Sequence, residues 1–186
     1  MKTVVKTAVA AALVMGFASF ANAAGTNTGT VTFTGTIEDS PCSIVVGDEH
    51  QTVNLGHIGT GSLTNGGQSS AVDFHIGLEN CAFTTEATMN TVFSAAGNES
   101  TANKGNIALM GANGEMEGSS IVLATYKGAQ IKVGDTDVQN LVVDADGKGL
   151  ADQTLNFKAW VQGDATTTTI DTGEFSSVVN FAISYL

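Results

Sequence analysis

The sequence predicts an all-β domain built as a sandwich, and three observations carry that prediction. In residues 173–186, G-E-F-S-S-V-V-N-F-A-I-S-Y-L, the apolar residues Phe175, Val179, Phe181, Ile183 and Tyr185 share one parity, and Ser177 is the only polar member of that face. Side chains alternate across an extended strand, so these residues point the same way. Residues 30–38, T-V-T-F-T-G-T-I-E, alternate as well, with Val31, Phe33, Gly35 and Ile37 on one side and threonines on the other. The chain also holds 22 glycines, one proline and many short threonine- and valine-rich runs broken by Gly, Asn and Asp. That composition favours strands joined by turns, and no convincing amphipathic helix interrupts it.

From the start, residues 1–23 read as a secretory signal. Lys2 and Lys6 precede an apolar run over residues 7–20, and Ala21-Asn22-Ala23 puts small residues at the two positions a signal peptidase reads. The run is shorter than the roughly 20 residues a membrane crossing needs, and no cysteine follows the cut to take a lipid anchor. Cleavage after Ala23 would leave 163 of the 186 residues, one domain's worth of chain. It would also remove two of seven lysines, leaving five basic residues against eighteen acidic ones, a formal charge of −13. Such a balance excludes nucleic acid and anionic lipid as partners and suits a soluble exported protein. Residues 24–39 then form an arm and residues 40–186 the domain. Strands are expected at residues 43–46, 52–55, 71–78, 90–95, 119–126, 129–133, 154–161 and 174–185. Residues 59–70, 97–106 and 111–118 read as polar connections.

A glycine fourteenth from the end (Gly173), a penultimate tyrosine (Tyr185), alternating apolar residues between them and the alternating arm together carry a resemblance. With T-V-T-F-T-G-T-I-E-D-S-P-C-S at residues 30–43 and L-E-N-C at 78–81, the chain resembles the pilin subunits of chaperone-usher fimbriae, of the type 1 and P pilus kind and major-subunit-like. The resemblance implies an immunoglobulin-like β-sandwich lacking its final strand, with an N-terminal donor-strand extension and one disulfide. It implies that Val31, Phe33, Gly35 and Ile37 of one copy fill the groove of a neighbouring pilin. It also implies that Gly173, Phe175, Val179, Phe181, Ile183, Tyr185 and Leu186 line that groove or meet a periplasmic chaperone, whose basic cleft would hold the Leu186 carboxylate. An outer-membrane usher would then exchange the chaperone's strand for the incoming arm, giving a linear homopolymer at the cell surface that serves adhesion and biofilm formation. The competing expectation is a stand-alone secreted immunoglobulin-like module binding carbohydrate or protein.

Cys42 and Cys81 are the only cysteines, and export to an oxidising compartment makes their pairing the expected outcome. Such a bond closes a loop of about 40 residues, worth about 4 kcal/mol in the chain-entropy treatment. No second ligand pair has the spacing of a zinc site. His50, His57 and His75 lack metal-ligand spacing, and no cofactor motif is present. Asp144-Ala-Asp146-Gly147 resembles the start of a calcium loop, yet Leu155 stands where the bidentate glutamate belongs, so a hairpin turn is expected. Asn98-Glu-Ser100 is a formal glycosylation sequon in an exposed loop. Trp160, Tyr126 and Tyr185 are too dispersed to make a sugar-binding platform, and Trp160 is expected in or beside the core. With no nucleophile elbow, phosphate cradle or free thiol, the chain is not expected to be an enzyme.

Overall fold

The computed structural model describes residues 29–95, 97–166 and 169–186. The expected signal segment lies outside the described residues, as do the first residues of the arm. The chain divides into two units, residues 1–38 and 39–186. In the first, residues 29–38 form no strand and their side chains are exposed, Phe33 to 90%.

In the second unit, alternating and continuous apolar runs build nine strands among the described residues: β1 (Ser43–Ile44), β2 (Val72–Glu79), β3 (Thr88–Ser94), β4 (Ile107–Gly111), β5 (Gly114–Thr125), β6 (Gln130–Ile131), β7 (Thr136–Asn140), β8 (Gln153–Gly163) and β9 (Asn180–Tyr185). They form two sheets. The larger runs β1-β2-β8-β5-β4 with β6 paired to β5, and the smaller runs β7-β3-β9. All pairs are antiparallel.

Alternation delivers the core from both sheets. Ile76 stands opposite Leu155 and Phe74 opposite Phe157 in the larger sheet, while Met89 and Phe93 come from β3 in the smaller one. Phe93 meets Phe157 edge-on at 5.0 Å between ring centres, and Phe74 stacks on Phe157 at 5.4 Å. Aromatic pairs in these arrangements add about 0.5 to 1.5 kcal/mol beyond their burial. Trp160 lies on the opposite face of β8, packed with Val122 and Ala124 in a separate small cluster. Cys42 and Cys81 are joined by a disulfide that ties the start of β1 to the end of β2. A short helix, α1 (Thr60–Leu63), crosses so close to β8 that a Cβ at Gly163 would fall 1.9 Å from the Leu63 carbonyl oxygen, which is why glycine stands there.

Four sequence expectations are corrected. Residues 107–111 form β4, and residues 111–118 are its hairpin with β5. The run Ile-Ala-Leu-Met shows no period-two signal, because Ala108 is as buried as Ile107 and Leu109. In β7 the polarity is inverted: Asp137 is buried and Val138 exposed. The inward Gln139 accepts from the Asn156 amide at 3.2 Å and donates to its carbonyl at 3.3 Å, so this strand is held by an amide clamp on β8. Residues 52–55 form no strand, although Val53, Leu55 and Ile58 are half-buried, because this segment has no ladder partner among the described residues. Residues 174–185 are not one strand, since the first half lies along β4 and only β9 pairs with β3.

Ser177 explains that split. Its hydroxyl donates to the Ala108 carbonyl at 2.5 Å and accepts from the Met110 amide at 3.1 Å, while the Ser176 amide donates to the Met110 carbonyl at 2.9 Å. The one polar residue on the apolar face thus satisfies the edge of β4 where the chain changes sheets. Replacing Ser177 by Ala strands a backbone donor and an acceptor, and since both lie in part-buried surroundings where water can reach them, the pair costs less than the sum of two fully buried groups. Ser177→Ala is therefore expected to lower unfolding stability by about 1 to 3 kcal/mol in a denaturant titration. An unchanged midpoint would show that water replaces the hydroxyl at no cost.

Candidate docking groove

The candidate site is the free side of the C-terminal segment. Gly173 opens it with φ of +150°, a backbone conformation that residues with a Cβ rarely adopt. After it, Phe175, Val179, Phe181, Ile183 and Tyr185 pack against the core cluster, yet every one of them is only half-buried. The contrast with the neighbouring strands is sharp: Met89 and Phe93 on β3 and Leu155 and Phe157 on β8 are all at most 2% exposed. Among the described residues β9 pairs with β3 alone, so its other edge keeps a row of amides and carbonyls without a ladder.

At the entrance, Gly173 and Phe175 line a small cavity of about 90 Å³ together with Ile58, Leu109 and Ile170. Ile58 follows the segment 52–55, which has no ladder partner among the described residues, so Ile58 and the C-terminal segment line the same opening. The arrangement is an apolar trough beside an open strand edge, a shape that accepts an extended chain with side chains entering at every second residue.

The far end is built differently. The Leu186 main-chain oxygen accepts from the amides of Ala87 at 2.6 Å and Thr88 at 2.8 Å, and the Leu186 amide donates to the Thr88 carbonyl at 3.0 Å. Beside it, one Glu86 carboxylate oxygen accepts from the amides of Thr84 at 2.7 Å and Thr85 at 2.9 Å. Residues 84–88 therefore present amides to two oxygen acceptors, one from a side chain and one from the last strand. These bonds favour the charged form of Glu86, those from the Thr84 amide most, and lower its pKa from 4.5 to about 2. Tyr185 packs its ring near Phe83, 6.1 Å between centres. Nothing in the sequence periodicity marks Glu86, because it acts through a turn and not through a face.

The remaining features singled out in the sequence fall elsewhere. The Asp144 carboxylate accepts from the amides of Asp146 and Lys148, both at 2.9 Å, and is consumed in a hairpin turn. The Asn98 side chain donates to the Val178 carbonyl at 3.1 Å. His50, His57 and His75 lie on separate elements, and among the described residues no cluster of His, Cys, Asp or Glu could hold a metal ion. Trp160, Tyr126 and Tyr185 share no surface, since Trp160 is buried on the outer side of β8 and Tyr185 faces the trough.

Comparison with known proteins gives a consistent picture. A family model described as fimbrial protein matches residues 31–186. The chain is 37% identical to the Fimbria A protein of Serratia marcescens, covering 97% of both chains. It is 39% identical to the Major MR/P fimbria protein of Proteus mirabilis, covering 94% of this chain and 96% of the relative. Among solved structures it is similar to one of a chaperone-usher pilus that addresses rod uncoiling, with 26% identity, a TM-score of 0.69, and coverage of 87% of this chain and 98% of that one. The P pilus rod subunit PapA shares the fold, with 23% identity and a TM-score of 0.63 over 79% of this chain and all of that one.

The Glu86 turn makes a test by acid. A carboxylate with a lowered pKa contributes stability that is fully present above its unfolded value and lost as pH falls through the folded one. Glu86 should therefore titrate near 2 in a carboxyl NMR titration, with the anchoring of residues 84–88 intact at pH 4. Titration at the ordinary 4.5 would mean that the turn amides do not hold it.

Proposed function

Because this chain belongs to the fimbrial protein family and is a structural subunit of chaperone-usher pili, not an enzyme, we propose that it polymerises by donor-strand exchange through the trough beside β9. The observation that carries this reading is the half-buried apolar row next to an open ladder: the fold has a place for one more strand. Residues 29–38 supply a segment of matching pattern, with Val31, Phe33 and Ile37 at alternate positions and all strongly exposed. Main-chain hydrogen bonds to the free edge of β9 provide affinity, and alternate side chains entering the trough fix the register. Each large side chain fully buried contributes about 1.5 to 3 kcal/mol. Gly35 occupies the position where the trough is too shallow for a side chain.

On this reading residues 1–23 are removed on export, residues 24–39 are the arm, and residues 40–186 are the receiving domain. Until an arm arrives, the trough is an aggregation hazard and needs cover. A periplasmic chaperone lends a strand and holds the C-terminal end at Leu186, and an outer-membrane usher exchanges that strand for the arm of the next copy. Each copy gives one arm and receives one, so the contact is heterologous and does not close, and a filament results. The filament is a rod or shaft that supports adhesion and biofilm formation.

Replacing Gly35 by a bulky residue such as Trp is expected to abolish the ladder of heat-resistant oligomers that the unaltered chain should give in mild detergent, while the complex with the chaperone still forms. A normal ladder from Gly35→Trp would overturn the exchange. Replacing Val138, far from the trough on β7, by Ala should leave the ladder unchanged.

A further inference from the structure

The larger sheet, which takes no part in the trough's open edge, carries a basin of its own. Alternation that sends Phe74, Ile76, Leu155 and Phe157 into the core turns Asp73 and His75 of β2 and Asn156 and Lys158 of β8 to the outer face. The ladder sets Asp73 opposite Lys158 and His75 opposite Asn156. β5 ends at Thr125, opposite Phe157, so Tyr126 follows in the row of Asn156. With Phe74 and Phe157 these five residues line an open cavity of about 360 Å³, a size within the roughly 300 to 1,000 Å³ of small-molecule sites.

We propose that this basin binds a neutral hexopyranose unit. The inference is independent of arm exchange, because it concerns the other sheet. Its polar groups are of both kinds and mostly unspent. Asp73 and Lys158 form the one ion pair among the described residues, which uses one carboxylate oxygen and leaves the second free. The Asn156 side-chain nitrogen donates to the Thr154 carbonyl at 3.3 Å. Its oxygen, the His75 ring and the Tyr126 hydroxyl take no hydrogen bond among the described residues. Donors and acceptors thus converge within two rungs of the ladder. Vicinal hydroxyls, each of which donates and accepts, satisfy such a set, whereas a ligand of carbonyls or amines alone leaves half of it unpaired.

Tyr126 supplies the apolar contact. It is 53% exposed, and the Lys127 ammonium lies over its ring at 5.4 Å from the centre. An aromatic body with a polar tip suits the C–H face of a pyranose lying beside it. One ring serves one sugar unit, so no platform of several aromatics is required.

Charge decides that the sugar is neutral. The chain holds 18 acidic residues against seven lysines, a formal charge of −11, and this field repels an anion before it reaches the basin. A cation would have to displace Lys158 from Asp73 and settle near the Lys127 ammonium. Only an uncharged ligand meets neither barrier.

The test is a ligand-observed saturation-transfer NMR titration, which works on free subunit and polymer alike. The exported chain is titrated with the methyl glycosides of glucose, galactose and mannose and with methyl glucuronide. At least one neutral glycoside should bind with Kd on the order of 1 mM, as suits a small ligand on one open face. Tyr126 is exposed and unbonded, so Tyr126→Ala leaves the fold in place and should weaken that binding about tenfold. Tyr126→Phe should keep it within a factor of about three, and Val142→Ala, on another loop, should not change it. The glucuronide should bind more weakly than the glucoside at low salt, and the gap should narrow at about 1 M salt, where the screening length falls to about 3 Å. No transfer to any neutral glycoside at about a hundredfold above that Kd would overturn the proposal. So would binding unaltered by Tyr126→Ala, or a glucuronide held as tightly as the glucoside at low salt.

Discussion

One open ladder governs this molecule. β9 has a partner on one side, and the apolar residues that lead into and along it are covered on one side only. An unpaired strand edge and a half-covered apolar row each favour association, and they coincide on a single segment. That coincidence is absent from an ordinary sheet edge, which proteins blunt with charge, proline or a bulge. No charged residue lies between Phe175 and Leu186.

The rest of the structure compensates for the missing layer with polar fastenings. The disulfide fixes β1 to β2. Gln153 is buried and clamps the backbone of Val142, accepting from its amide at 2.8 Å and donating to its carbonyl at 2.9 Å. Gln139 does the same to Asn156, and Ser177 closes the edge of β4. In each case a side chain stands in for a strand neighbour and satisfies backbone groups that the sheet leaves over. The smaller sheet needs such help because it has only three strands and lends one of its edges to the trough. Membership of the fimbrial family places this incompleteness in a setting where other pilins are at hand.

The sequence made some of this legible and hid the rest for identifiable reasons. The C-terminal face was readable because its period-two pattern is nearly unbroken, and Ser177 stood out in it as an anomaly before its two hydrogen bonds gave it a role. β4 was hidden because Ala108 is buried on the face that alternation would assign to solvent. β7 was hidden because its inward residues are polar and its outward one is valine, the reverse of the rule that finds strands. Residues 52–55 have a strand's pattern without a strand's partner. The switch of the C-terminal segment between sheets and the amide run at residues 84–88 depend on turns, and turn geometry does not appear in hydrophobic periodicity. The arm could be read as an alternating segment and residues 173–186 named as its expected counterpart, but that the apolar row there is only half-buried could be seen in the fold alone.

The central claim is that β9 is missing a neighbour which assembly supplies, and backbone hydrogen exchange addresses it at the atoms concerned. Amides of residues 180–184 that point away from β3 should exchange rapidly in the isolated folded subunit and slow by at least about a thousandfold in the filament, as local opening gives way to a closed ladder. Amides that point toward β3 should be protected in both. Equal protection of the two sets in the isolated subunit, or no slowing of the outward set on assembly, would contradict the account.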